Sequence, residues 1–151
     1  MLPFKKILCP TDFSEPGCAG VKAAGELASR FGAELILLHV VGPIPALDTP
    51  AGMSTFDVAA YQKELTDSAE TLLAEREAAV QEGVPTETMV RHGDVAHEIL
   101  GAAKEEGVDL IVMSTHGGAG WRHRIFGTVT ERVVRHAHCS VLTTYHEPPT
   151  A

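Results

Sequence analysis

Hydrophobic positions follow two rhythms along this chain. Short, almost continuous apolar runs at Lys6-Ile-Leu-Cys-Pro10, Glu34-Leu-Ile-Leu-Leu-His-Val-Val41, Val108-Asp-Leu-Ile-Val-Met113 and Ser140-Val-Leu-Thr-Thr-Tyr145 predict strands, joined by another short one at Glu87 to Arg91. A run such as 34–41 lacks the polar alternation of a half-exposed strand, as expected of a parallel sheet covered on both faces. Between the runs, apolar residues recur at helical spacing. Val21, Ala24, Leu27/Ala28 and Phe31 define a helix opened by Ser14 as N-cap, with Pro16 in its first turn, and closed by Gly32. Tyr61, Leu65, Ala69, Leu72 and Ala79/Val80 mark a long helix from about Asp57 to Glu82, ended by Gly83 and Pro85. Asp94 caps a third helix with Val95, Ile99 and Ala102/Ala103 inward and Gly107 at its end, and Phe126, Val129, Val133 and Ala137 give a fourth.

The resulting order, βαβαβαβαβ, predicts an α/β domain: a single doubly wound, five-stranded parallel sheet with helices on both faces, in strand order 3-2-1-4-5. Residues 1–147 form this domain and 148–151 a tail. Residues 42–56, with Gly42, Pro43, Pro45, Pro50 and Gly52, are the one long irregular stretch, a lid, a contact surface or a disordered loop. In this order strands one and four adjoin at the switch point, where open α/β sheets bind ligands outside their strands' carboxyl ends. Asp12 and His116 follow those two strands and are expected at one site.

At 151 residues with 44% hydrophobic residues, the chain can bury a core of its own. No 18-residue apolar run is present, and the N-terminus reaches Asp12 too early for a secretory signal, so a cytoplasmic location is expected. Cys9, Cys18 and Cys139 form no CxxC pair and read as buried thiols. The net charge of −8 argues against nucleic acid and anionic membrane surfaces as partners. That charge is unevenly spread: residues 1–110 hold 8 basic and 18 acidic side chains, whereas 111–146 hold Arg122, Arg124, Arg132 and Arg135 against Glu131 alone, and Glu147 follows.

The cationic segment also carries the densest glycine run. Strand four leads into Ser114-Thr-His-Gly-Gly-Ala-Gly120, and Gly127-Thr128 begins the fourth helix. Glycines admit an anion to backbone N–H groups, and a helix N-terminus adds donors and a favourable dipole, so the segment has the makings of a phosphate cradle. It contains no Gly-Lys-Ser/Thr of a P-loop, and a dinucleotide fingerprint would require a glycine where His123 stands and would follow strand one. What remains is Gly117, nine residues, Gly127, Thr128.

With this spacing the chain resembles the universal stress protein family, whose nucleotide-binding members show Gly-x-x-Gly, nine residues, Gly-Ser/Thr after strand four. The resemblance also takes in Lys5-Lys-Ile-Leu-Cys-Pro-Thr-Asp-Phe-Ser14, Leu37-Leu-His-Val40, Gly93-Asp94, Val108 to Gly117 and Gly127-Thr-Val-Thr-Glu-Arg-Val133. It implies a cytoplasmic, homodimeric, Rossmann-like or flavodoxin-like domain that binds ATP with Mg²⁺ as a regulatory ligand. Adenine and ribose are then expected near Pro10, Thr11, Asp12 and Val40. The phosphates are expected along Ser114, Thr115, His116, Gly117, Gly118, Ala119 and Gly120, facing Gly127, Thr128, Val129 and Thr130 at the helix start, and Met113 is expected among the nucleotide-binding residues. Ser114 stands in place of the family's first glycine, and Gly118-Ala-Gly-Trp121 replaces its more usual basic and small polar residues. The fifth strand, Cys139 to Tyr145, reads as an edge strand, and the resemblance implies that it mediates the dimer.

Plainer readings stand beside these. The loop glycines alone are equally those of a surface turn, and Arg132 and Arg135 read as a solvated helix face, while Arg122 and Arg124 are evenly balanced between that and the phosphates. His39 reads as a core histidine whose polar atoms are satisfied, Trp121 as a nucleotide cover or a partner contact, and Asp12 as ribose-binding or turn-forming. His136-x-His138-Cys139 lacks the further ligands zinc needs. With neither a catalytic aspartate motif nor a P-loop lysine, at most slow hydrolysis or autophosphorylation on Thr128 or Ser114 is expected. Two other functions fit: a dimeric interaction module of the same fold that binds an unknown protein and no nucleotide, and a redox or metal sensor built on Cys139 and the histidines.

Overall fold

A computed structural model describes residues 2–45, 57–115 and 127–146. Five strands, β1 (Lys6–Pro10), β2 (Glu34–Val41), β3 (Thr86–His92), β4 (Leu110–Ser114) and β5 (Ser140–Thr144), form one parallel sheet in the order β3-β2-β1-β4-β5. Four helices lie between them: α1 (Glu15–Phe31), α2 (Val58–Ala78), α3 (Val95–Glu105) and α4 (Thr128–His136). The expected order is therefore the observed one.

Side chains of the inner strands alternate between two cores. Ile7, Cys9, Leu35, Leu37, Leu110 and Val112 point to one face and pack with Val21, Ala24 and Ala28 of α1 and Leu73 of α2. Leu8, Ile36, Leu38, Val40, Ile111 and Met113 point to the other, against Ala96, Ile99 and Ala102 of α3 and Val133 of α4. Period-two alternation with both faces buried explains why these strands are continuous in apolar residues.

Ser14 Oγ accepts from the Gly17 amide at 3.2 Å and starts α1, while Gly32, at φ +63°, takes the left-handed conformation that ends it. Asp57 and Asp94 cap α2 and α3 in the same manner, from Ala60 N at 3.1 Å and His97 N at 3.0 Å.

Two expectations for α2 need correction. Its one fully buried large side chain is Leu73, not Leu72, because Leu73 lies one turn after the buried Ala69 and meets the sheet directly. The helix also stops at Ala78, four residues before Glu82, and the chain reaches Gly83 through a turn. Of the cysteines, Cys9 is buried, whereas Cys18 and Cys139 are only half-buried. Phe126, assigned by sequence to the fourth helix, lies outside the described residues, and among these α4 begins at Thr128.

Candidate functional site

β1 and β4 are neighbours whose following helices lie on opposite faces, and a cavity of about 500 Å³ opens beyond their carboxyl ends. Of the residues expected at the site, Pro10, Thr11, Asp12, Val40, Met113, Ser114, Gly127, Thr128, Val129 and Thr130 line it. Thr115 does not: it is buried, and its carbonyl accepts from the Gly127 amide at 2.8 Å. His116, Gly117, Gly118, Ala119 and Gly120 lie outside the described residues, as do Trp121, Arg122 and Arg124. The wall also includes Gly17, Leu38, His39, Val95 and Ile99, which the sequence did not single out for a site. Val95 and Ile99 carry the same apolar signal as core positions; their placement depends on where α3 crosses the strand ends.

At the rim Asp12 is exposed and turned toward α1, its Oδ1 accepting from the Ser14 amide at 3.0 Å and from the Ser14 hydroxyl. The Thr11 hydroxyl accepts from the Phe13 amide at 3.1 Å. Phe13 sits at φ +66°, and its ring stacks on His39, with centroids 4.5 Å apart. Asp12 therefore closes a turn, and the residue also lines the cavity.

Val40 supplies the floor with a pair of backbone groups. The Leu38 carbonyl accepts from Thr11 N at 2.8 Å on the β1 side, and the Val41 carbonyl accepts from Gly93 N at 3.1 Å on the opposite side. Backbone groups alternate sides along a strand, so the Val40 N–H and C=O turn toward β1. β1 is last in register at Pro10, opposite Leu38, so these two groups face the cavity, a donor beside an acceptor.

Across the cavity, α4 starts from Gly127 without a side-chain cap. The Thr130 hydroxyl donates to the Ser114 carbonyl at 3.1 Å and ties the helix to β4. First-turn amides of a helix have no intrahelical acceptor and carry partial positive charge, so this end of the cavity favours an anion. Arg132, rather than being merely solvated, holds the cap of α3: its guanidinium donates two bonds to Asp94, at 2.8 and 2.9 Å, and keeps that carboxyl below its usual range. Arg135 pairs with Glu131 one turn away, at 2.9 Å.

Cys9 and Cys139 are poorly suited to reaction as thiolates. Burial pushes the Cys9 thiol up to about 12, and burial with nearby Asp109 raises Cys139. Among the described residues no three His, Cys, Asp or Glu side chains gather as a metal would require.

Residues 3–144 match the profile of the Universal stress protein family. The chain belongs to the universal stress protein family. Among its relatives in the family, universal stress protein MJ0531 of Methanocaldococcus jannaschii is 36% identical over 139 residues, 92% of this chain and 81% of that protein. The solved structure of MJ0577 superposes with a TM-score of 0.79 at 28% identity, covering 95% of this chain and 97% of that one. A universal stress protein solved in complex with cAMP shares the fold, with a TM-score of 0.67 at 20% identity and coverage of 94% and 97%. No helix among the described residues of this universal stress protein is long and apolar enough to cross a membrane.

Proposed function

We propose that this universal stress protein binds ATP, with Mg²⁺, as a regulatory ligand in a stress response. The carrying observation is the cavity itself, which places a backbone donor and acceptor at one end and an uncapped helix N-terminus at the other. Its volume is that of an ordinary small-molecule site. An adenine edge offers an amino donor at N6 beside an acceptor at N1, the complement of the Val40 C=O and N–H. The ribose hydroxyls can donate to the Asp12 carboxylate, and apolar Val95, Ile99 and Met113 suit the faces of the base. Phosphates would lie toward Thr128, Val129 and the segment that joins β4 to α4. Mg²⁺ would be held chiefly by phosphate oxygens and water, because the cavity wall carries Asp12 as its one carboxylate among the described residues. Support from outside the chain is the family member solved with cAMP, another adenine nucleotide.

The protein works, in this reading, as a cytoplasmic homodimer. β5 is an edge of the sheet and presents the exposed Leu142, with Tyr145 just beyond it, as a surface for a second copy over Cys139 to Tyr145. Denaturing freshly purified protein and chromatographing the released small molecules tests the ligand: adenine nucleotide near one per chain supports it. Absence of nucleotide together with no rise in melting temperature on adding Mg-ATP would refute it.

A further inference from the structure

Why the Val40 N–H is free to meet a ligand has a specific answer in the side chain beside it. In a parallel ladder the strand partner that offers Thr11 N to the Leu38 carbonyl would next offer the Thr11 carbonyl to the Val40 N–H. Here the Thr11 carbonyl is instead 2.8 Å from His39 Nδ1. A carbonyl oxygen only accepts, so Nδ1 carries the proton and donates it. Phe13, stacked on the imidazole with its own backbone in the left-handed region, holds the ring and the turn in this arrangement.

We propose that His39 is a positioning residue for base recognition: by drawing the Thr11 carbonyl onto its Nδ1–H it stops the β1–β2 ladder one bond short and reserves the Val40 N–H for the purine. The inference rests on the adenine-nucleotide reading for its consequence in binding, but the ladder itself can be tested without any ligand. His39 touches the protein, not the base, and acts through Thr11 and Val40. Removing the imidazole donor frees the Thr11 carbonyl to take the Val40 N–H. The site then loses the donor that meets adenine N1, and with it one of the two contacts that reject hypoxanthine, whose N1 carries a proton; the Val40 C=O still opposes its O6. Asparagine, whose side-chain amide can replace the Nδ1 donor, should restore both.

The experiment compares wild type, His39→Leu and His39→Asn in two measurements. Amide exchange by NMR on the nucleotide-free proteins should find the Val40 N–H fast in wild type and His39→Asn but protected in His39→Leu. Calorimetric titration with ATP and with ITP should show the ATP preference falling about tenfold in His39→Leu, the worth of one hydrogen bond, and returning in His39→Asn. A Val40 amide as protected in wild type as that of Leu38, or an ATP-to-ITP ratio unchanged by His39→Leu, overturns the proposal. Wild type that binds neither nucleotide defeats the adenine reading and base recognition with it, while the exchange measurement still decides the ladder. Should His39→Leu fail to fold, Phe13→Leu loosens the same ring, and unaltered Val40 exchange and base preference in that variant overturn the proposal.

Discussion

The β1–α1 and β4–α4 junctions both carry the chain from a strand end, past the same cavity, into a helix, yet they satisfy their backbone in opposite ways. After β1 the side chains do the work: Thr11, Asp12 and Ser14 accept from the amides of Phe13, Ser14 and Gly17, and the turn is filled with its own oxygens. After β4 the helix begins at glycine with no side-chain cap, and Thr130 turns its hydroxyl back to the carbonyl of Ser114. The first junction presents a carboxylate and the second presents amides. In the proposed function this contrast orients the nucleotide, since hydroxyl donors suit the first and an anion the second.

Making the second junction resemble the first should break this asymmetry with the largest effect. Gly127→Asp supplies the missing cap and fits sterically, as a Cβ there would sit 3.5 Å from the Thr115 carbonyl oxygen, ordinary contact. Stability should rise by a few tenths of a kcal/mol, since glycine is already a fair cap. ATP affinity should fall about a hundredfold, because a carboxylate replaces open amides beside the phosphates. Calorimetry and thermal melts on the same sample separate the two. Thr130→Val tests the tether of α4: losing a buried hydroxyl that serves the Ser114 carbonyl should cost about 1–3 kcal/mol in urea unfolding. Ser14→Ala removes the cap of α1 and should cost about 1 kcal/mol while leaving the phosphate end intact.

The smallest effect belongs to the Asp94–Arg132 pair. Arg132, first by hydrogen bonding, and the His97 amide lower the Asp94 carboxyl from its ordinary value. A carboxyl lowered on folding contributes stability above its unfolded value and loses that contribution as pH falls through the folded one. Arg132→Gln should therefore move the Asp94 titration upward in an NMR pH series and shrink the acid-side loss of stability between pH 4 and lower values. Both groups are exposed, so the change in unfolding midpoint should be slight.

Much of the molecule was legible in the sequence because each signal was local. Continuous apolar runs gave the strands, Ser14 and Asp94 the helix starts, and Gly32 a helix end, since each acts within a turn of where it stands. The α2 stripe was less clear because its surface is polar nearly all round, so Leu72 and Leu73 are equivalent until the sheet selects one. Long-range pairs left no trace: His39 meets a carbonyl 28 residues earlier, and Arg132 meets a carboxylate 38 residues earlier. A third of the cavity wall was similarly hidden. The glycine spacing pointed to α4 and Asp12 to the rim, but Val95 and Ile99 reach the cavity through the packing of α3 on the sheet.

In the proposed function the open amides of α4 and the edge at Val40 together take one adenine nucleotide. Calorimetric titration of Mg-ATP into the wild-type protein and Gly127→Asp tests it most directly. Saturable binding at one nucleotide per chain, weakened about a hundredfold by the substitution, is the result expected here. No heat of binding with wild type, or equal affinity in the two proteins, would contradict it.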